Sequence, residues 1–220
     1  MNIGVIHATL NAVQPLKKEF YKKNPGITLV NFVNEELLAH ANRVGGVDDW
    51  GLRNFTRLFM QAAESDVDGI IIACSLYSTY VDRVKILTDK PVIAIDAPMI
   101  EAAARKGNKI GVIATTAAAG PAENEKILKE AERLGRHITT SVEIRTEAMM
   151  ALKRGNVAEH NRILREAVEK LALEGCDTVV LSQITMACAK EDMKDLQIDI
   201  LSSPESGAEY MNVLLSGRQE

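Results

Sequence analysis

The amino-acid sequence predicts an α/β protein made of two similar units, each a mostly parallel sheet covered by helices. The first observation is the tetrapeptide Ile-Gly-Val-Ile, which occurs at residues 3–6 and again at residues 110–113. The second is that two further apolar segments recur at nearly the same offset, residues 69–74 with 178–183 and residues 92–98 with 198–204. The third is that short runs rich in Ile and Val alternate with longer stretches of helical period, as in sheets covered on both faces.

Strands are predicted where four to seven residues are apolar and rich in β-branched side chains. They lie near residues 2–7, 27–32, 68–74, 91–95, 109–114, 139–144, 178–182 and 198–201. Helices are predicted where apolar positions recur every three or four residues with charges on the opposite face. They span residues 11–23, 49–65, 99–106, 121–134, 156–173 and 205–215.

Two features between the regular segments bear on how the chain is organised. Pro98 and Pro204 each follow a strand at matching places, where proline favours the first turn of a helix. Residues 39–52, which include Gly45-Gly46 and Trp50, have no clear period. They predict an ordinary surface loop or, alternatively, a lid.

The repeat predicts two pseudo-symmetric flavodoxin-like domains. Residues 1–97 together with 205–220 would form the first, and residues 98–204 the second, with no Gly/Ser/Pro-rich linker to separate them. Ligands of parallel sheets bind beyond the carboxyl ends of the strands. We therefore expect the active site in the cleft between the two domains.

Composition excludes several classes of function. The net charge is −4, with no Lys/Arg run longer than two residues, so a nucleic-acid or anionic-membrane partner is not expected. The sequence opens directly on a strand rather than on a signal peptide or transmembrane segment, which predicts a cytoplasmic protein. A small-molecule partner remains.

Sequence motifs typical of cofactor-binding and metal-binding sites are missing from the sequence. Three cysteines, without a CxxC pair or a His-x-x-x-His pattern, predict neither a disulfide framework nor zinc. GxGxxG, GxxxxGK[ST], GxSxG and HExxH do not occur either. We expect no cofactor and no metal.

Small polar side chains follow the predicted strands in both halves. Cys74 ends a strand, and nearby N–H groups of the next helix would favour its thiolate as a base or nucleophile; the alternative is a packed core thiol. Gln183 occupies the corresponding place in the second half, where its amide could orient a carboxylate or oxyanion, or merely cap backbone groups. Further candidates for substrate binding are Thr9, Ser75, Thr115, Thr116, Ile184 and Thr185.

The remaining thiols and His7 are weaker candidates. His7 could carry a second proton or pair with a carboxylate, or be a hydrogen-bonded structural residue. Cys176 precedes its strand, on the wrong side of the sheet for the cleft, and is read as structural. Cys188 lies five residues beyond Gln183 and could take part only if that turn folds inward.

Three segments resemble the aspartate/glutamate/hydantoin racemase superfamily, which includes allantoin racemases, maleate isomerases and arylmalonate decarboxylases. Ile-Ile-Ala-Cys-Ser at residues 71–75 resembles its first cysteine motif, and residues 177–185 resemble its second, usually Asp-x-hydrophobic-hydrophobic-Leu-Gly-Cys-Thr. Gly-Val-Ile-Ala-Thr at residues 111–115 resembles the start of its second domain. The resemblance implies a cofactor-free reaction in which two cysteines exchange a proton on opposite faces of a carbon. Gln183 stands where the second cysteine is expected.

The sequence therefore predicts a racemase or isomerase that acts on a small carboxylate and is expected to be a homo-oligomer. Cys74 would be the thiolate, with Gln183 and His7 as the other catalytic candidates, and the intermediate would be enolate-like or covalent. One alternative is a lyase such as a decarboxylase, although the decarboxylase relatives keep the second cysteine rather than the first. Another is a carboxylate-binding protein without catalysis.

Overall fold

The computed structural model describes residues 1–23, 25–117 and 119–216. The chain divides into two compact units. Unit 1 contains Met1–Asp96 together with the segment that begins at Pro204, and unit 2 contains Ala97–Ser203. The last residues assigned to the first domain, 217–220, lie outside the described part of the chain.

The strands occur in chain order as β1 (Asn2–His7), β2 (Thr28–Val33), β3 (Gly69–Ile72), β4 (Val92–Ala94), β5 (Lys109–Ala114), β6 (Thr139–Ile144), β7 (Thr178–Leu181) and β8 (Asp199–Ser202). The first four form one parallel sheet in the order β2-β1-β3-β4. The last four form another in the order β6-β5-β7-β8. The predicted fold class, two parallel sheets covered by helices, is confirmed.

The α-helices are α1 (Val13–Lys23), α2 (Glu35–Val44), α3 (Asp49–Glu64), α4 (Ser75–Ser78), α5 (Val81–Val84), α6 (Ala97–Lys106), α7 (Ala119–Arg133), α8 (Thr146–Lys153), α9 (Val157–Leu173) and α10 (Ser203–Ser216). Short 3-10 helices cover Leu10–Ala12 and Lys85–Leu87, and a longer one covers Ile184–Met193. No helix in the described ranges is long and apolar enough to cross a membrane.

Each sheet buries apolar side chains on both of its faces. In unit 1, Ile6, Ile70 and Ile72 pack against Phe55 and Phe59 of α3. In unit 2, one face packs on α9 through residues that include Ile113, Val179, Leu181, Leu164 and Leu171. The other face of that sheet packs on α6 and α7 through Ile110, Val112, Val180, Met99 and Ile127.

The expectation of a loop or lid at residues 39–52 is wrong. Most of this segment is helical, because α2 continues to Val44 and α3 begins at Asp49. Asn34 caps α2 by accepting a hydrogen bond from Glu36 N–H, and Gly45 ends it with a φ of 80°. The α8 helix at Thr146–Lys153 was also missed.

The two sheets carry equivalent aspartate hydrogen bonds at the amino ends of their strands. In unit 1, Asp68 accepts a hydrogen bond from the backbone N–H of Asn2 at 2.7 Å. In unit 2, Asp177 accepts from the backbone N–H of Asn108 at 2.9 Å and from its side-chain amide at 3.1 Å. Burial alone would raise the pKa of Asp177, but these bonds, with one from Thr178, together hold it below its usual value. Each aspartate ties the start of one central strand to its neighbour.

Candidate active site

Cys74 and Gln183 hold equivalent positions in their units. Each lies two residues beyond the end of a strand, β3 for Cys74 and β7 for Gln183. Both have extended backbones (φ −143°, ψ 114° and φ −122°, ψ 143°), and each precedes the next helical segment as its N-cap. The correspondence between the two halves of the sequence therefore holds at the structural level.

The pleat places both residues on the face of the sheet that packs against the helix preceding the strand. Side chains alternate between faces along a strand, so Cys74 follows Ile70 and Ile72 onto the α3 side. Gln183 likewise follows Val179 and Leu181 onto the α9 side.

Cys74 is half-buried beside Tyr77 in the α3-facing core of unit 1. Tyr77 donates its hydroxyl proton to the carbonyl of Leu37 at 3.2 Å. Burial, followed by the negative charges of Cys74 and Asp48, raises the pKa of Tyr77 to about 12. Tyr77 therefore stays protonated next to the thiol. The expected help from the following helix is small, because α4 is a single turn and carries little dipole.

Ser75 opens α4 and is linked to a buried carboxylate that sequence reasoning missed. Ser78 Oγ lies 2.8 Å from the carbonyl oxygen of Ser75 and 3.0 Å from Asp96 Oδ2. Asp96 is 2% exposed and follows β4, so it lies at the same edge of the sheet as Cys74. The position of this aspartate shortly after a predicted strand could have indicated it as a candidate site residue.

His7 is not brought together with Cys74. It alternates with Ile6 on β1, so it follows Val5 onto the face opposite Cys74. Its Nε2 lies 3.0 Å from Asn31 Oδ1, whose own amide donates to the carbonyl of Leu29, so we assign the proton to Nε2. Burial lowers the pKa of His7 despite that hydrogen bond. These contacts suit the structural alternative.

Two of the predicted threonines cap helices. Thr9 Oγ1 accepts from Asn11 N–H at 3.4 Å at the start of the first 3-10 helix. Thr116 is exposed, and its Oγ1 accepts from Ala119 N–H at 3.2 Å at the start of α7. Both therefore have the capping role that we expected as an alternative to substrate binding.

Thr115 and Gln183 are joined by a direct hydrogen bond within unit 2. Thr115 N–H donates to Gln183 Oε1 at 2.9 Å, and Ser182 Oγ approaches the same oxygen at 3.3 Å. Because a backbone N–H can only donate, this bond fixes the orientation of the amide. The Nε2 donors of Gln183 are left facing away from Thr115, and no acceptor for them is present among the described residues.

Two buried hydroxyls of unit 2 lack a partner within the described ranges. They are Oγ1 of Thr115, which is 2% exposed, and Oγ1 of Thr185, which is 7% exposed. Ile184 is buried between Gln183 and Thr185 and offers only apolar surface. A buried hydroxyl without a partner costs free energy, which a polar ligand would recover.

The other two thiols differ in exposure. Cys176 is buried before β7, and its burial raises the pKa of its thiol. Cys188 is half-buried in the 3-10 helix after β7 and lies within 4.0 Å of His160. No group of three or more His, Cys, Asp or Glu side chains that could hold a metal ion is found in the described part of the chain.

Residues 47–211 match the family model described as Asp/Glu/Hydantoin racemase. No curated protein matches the chain in sequence.

Solved structures with the same fold include three whose TM-scores lie between 0.63 and 0.74. An aspartate racemase homologue from Pyrococcus horikoshii is 16% identical, with a TM-score of 0.74 over 98% of this chain and 99% of that one. An allantoin racemase from Klebsiella pneumoniae is 15% identical, with a TM-score of 0.73 over 99% and 89%. A maleate cis-trans isomerase from Nocardia farcinica, solved with a covalent succinylcysteine, is 14% identical, with a TM-score of 0.63 over 98% and 92%. At these identities the likeness shows a shared fold.

Proposed function

The chain belongs to the Asp/Glu/Hydantoin racemase family, and from this premise we propose that it is an isomerase of a small carboxylate that works without a cofactor. The observation that carries the proposal is the equivalence of Cys74 and Gln183, which both lie two residues beyond corresponding strands with extended backbones. One supplies a thiol that can take up a proton. The other supplies amide donors that can hold negative charge.

In the proposed reaction, the Cys74 thiolate removes a proton from the carbon next to the substrate carboxylate, and the thiol that forms then returns a proton to the intermediate. The charge that develops on the carboxylate oxygens is stabilised by the Nε2 donors of Gln183 and by the hydroxyls of Thr115 and Thr185. These groups support the assignment because the hydroxyls are buried without a partner and the amide is already oriented by Thr115 N–H.

The other candidates receive supporting roles in this proposal. Ser75 and Ile184 shape the two strand ends beside Cys74 and Gln183. Thr9 and Thr116 cap helices, and His7 keeps its hydrogen bond with Asn31 on the opposite face of the first sheet. We therefore assign proton removal to Cys74 alone.

The test is proton exchange in deuterated water with both enantiomers of aspartate, glutamate and allantoin, and with maleate. We expect at least one compound to be interconverted and, where a C–H bond is broken, labelled. Cys74→Ala should lower that rate by at least about 100-fold, the usual range for loss of an acid–base group. Cys176→Ala, which removes a buried thiol at the amino end of β7, away from the carboxyl ends of the strands, is the matched control.

Unchanged activity in Cys74→Ala would remove Cys74 from the reaction. Release of CO₂ in place of a labelled isomer would assign the protein to the lyases. Binding without labelling of any compound in the panel would favour a carboxylate-binding protein.

A further inference from the structure

A buried carboxylate lies beside Cys74 within unit 1. Asp96 is 2% exposed and follows β4, whereas Cys74 follows β3, which pairs with β4 in parallel. In that pairing Ile72 is opposite Ala94, so the register places Cys74 opposite Asp96, two residues farther along each strand. Neighbouring strands lie about 4.8 Å apart, so about one strand spacing separates the two backbones.

The two side chains belong to the same face of the sheet. Cys74 follows Ile70 and Ile72 onto the face that packs against α3. Val92 of β4 packs on that face as well, and the alternation of side chains puts Asp96, four residues later, with it. The thiol and the carboxylate are therefore neighbours on adjacent strands.

A hydrogen bond from α4 gives independent support for this placement. Ser78 N–H donates to the carbonyl of Cys74 at 2.8 Å, so Ser78 lies one helical turn beyond the thiol. Its Oγ lies 3.0 Å from Asp96 Oδ2 and 2.8 Å from the carbonyl oxygen of Ser75. Cys74 and Asp96 are thus attached to the same helical turn, one through the chain and the other through a hydrogen bond.

Two other titratable groups, Tyr77 and Asp48, bear on the surroundings of this thiol. Burial, followed by the charges of Cys74 and Asp48, raises the pKa of Tyr77 to about 12, so Tyr77 is neutral over the range in which a thiol titrates. Asp48 caps α3, and its two carboxylate oxygens each lie 3.0 Å from His40 Nε2. Asp48 is exposed, so water screens its charge, whereas Asp96 is buried.

A buried negative charge beside a thiol changes how firmly the sulfur holds its proton. Like charges at close range repel, so the carboxylate disfavours the thiolate, and it does so more strongly where water is excluded. A thiolate that forms in spite of this repulsion is a stronger base. Such a base is suited to removing the weakly acidic proton of a carbon next to a carboxylate.

We propose that Asp96 is a positioning residue that acts through Cys74: its charge lowers the fraction of thiolate at rest and makes the thiolate a stronger base when it forms. Ser78 holds the carboxylate at the turn that begins beside the sulfur. The proton transfers of the reaction stay those of Cys74. The role of Asp96 in the reaction rests on the proposed function, whereas its effect on the sulfur does not.

The test needs no substrate. Alkylation of each cysteine by iodoacetamide is followed by peptide mass spectrometry between about pH 6 and about pH 10, in the wild type and in Asp96→Asn. The amide keeps an acceptor for Ser78 but loses the charge. The alkylation profile of Cys74 should therefore move to lower pH by about half a unit or more, with about twofold or faster reaction near pH 7. A smaller shift would overturn the proposal, and so would slower reaction, which would instead make Asp96 the acceptor of the thiol proton.

Three controls separate the charge from other effects. Ser78→Ala removes the hydrogen bond but keeps the carboxylate, so Cys74 should react no faster than in the wild type. Acceleration equal to that of Asp96→Asn would trace the effect to a loosened α4 and overturn the proposal. Asp66→Asn removes an exposed carboxylate before β3, at the other edge of the sheet, and should leave the profile unchanged. Cys188, half-buried in unit 2, is the internal reference in every sample.

Activity separates the failure of this proposal from that of the proposed function. With whichever compound the wild type converts, Asp96→Asn should lower the maximal rate and move the acid limb of the kcat/KM profile to lower pH, because its thiolate is a weaker base. If Cys74→Ala leaves activity intact, the proposed function fails while the alkylation shift still decides the effect of Asp96. If Cys74→Ala is inactive and the alkylation profile does not move, the proposed function stands and Asp96 has no such role.

Discussion

The repeated tetrapeptide Ile-Gly-Val-Ile offers a matched pair of substitutions, Gly4→Ala and Gly111→Ala, with opposite expected effects. Both glycines lie inside a central strand, and neither has a positive φ. A Cβ at Gly4 would lie 3.4 Å from Val67 Cγ2, an ordinary van der Waals contact. A Cβ at Gly111 would lie 2.7 Å from Leu171 Cδ1 and 3.2 Å from Leu171 Cγ.

The two contacts translate into different free energies of unfolding. Carbon atoms pack best about 3.5–4.0 Å apart, so the contact at Gly111 is close to 1 Å too short. Leu171 is fully buried between α9 and the sheet, so it cannot swing into solvent to relieve the contact. Overpacking of this kind costs about 1–3 kcal/mol. At Gly4 the added methyl restricts the unfolded chain, which stabilises by about 0.4–1 kcal/mol.

Urea unfolding followed by far-UV circular dichroism measures both variants, and the fluorescence of Trp50, the single tryptophan, reports on unit 1. With a slope of about 2 kcal/mol per molar urea, Gly111→Ala should lower the midpoint by about 0.5–1.5 M. Gly4→Ala should leave the midpoint unchanged or raise it slightly. Equal midpoints for the two variants, or a lower one for Gly4→Ala, would refute the packing argument.

Three further outcomes are expected. Gln183→Glu keeps the acceptor for Thr115 N–H but replaces the amide donors with an anion. The KM for a carboxylate should therefore rise about 10-fold or more, with little change in the urea midpoint. An unchanged KM would contradict the binding role. Thr185→Val removes a buried hydroxyl that has no partner in the described residues, so unfolding measurements should show equal or greater stability, and a loss of about 1 kcal/mol or more would indicate an overlooked bond. Burial lowers the pKa values of His7 and His160, so the unfolded state binds more protons than the folded state below about pH 6.5. Urea midpoints should therefore fall as the pH drops from 7.5 to 5.5, and they should fall less steeply in His160→Gln. A flat pH profile would count against buried neutral rings.

The sequence predicted the parallel strands well because their signal is local. Strands β1, β5 and β6 have the predicted bounds, and the other five differ from them by one or two residues at an end. A doubly covered strand must be apolar along its whole length, and that requirement can be read directly from a run such as residues 69–72. The helix starts at Pro98 and Pro204 were also close to the observed α6 and α10.

What was missed depends on weaker or longer-range signals. The α2 helix has only two buried residues, Leu37 and Ala41, so its apolar stripe is faint, although Asn34 and Gly45 marked its ends. At the candidate site, the sequence identified Cys74 and Gln183 from the repeat. It could not indicate that His160 and Cys188, 28 residues apart, lie together, because that contact follows from packing of α9 on the 3-10 helix.

The aspartates at the amino ends of the strands bear on which substitutions each sheet can accept at the opposite ends. Asp68 and Asp177 anchor the central strands from the side remote from Cys74 and Gln183, using bonds confined to their own unit. These bonds involve none of the groups at the opposite edge of either sheet. An exchange between a thiol and an amide beyond β3 or β7 would therefore leave these anchoring bonds intact.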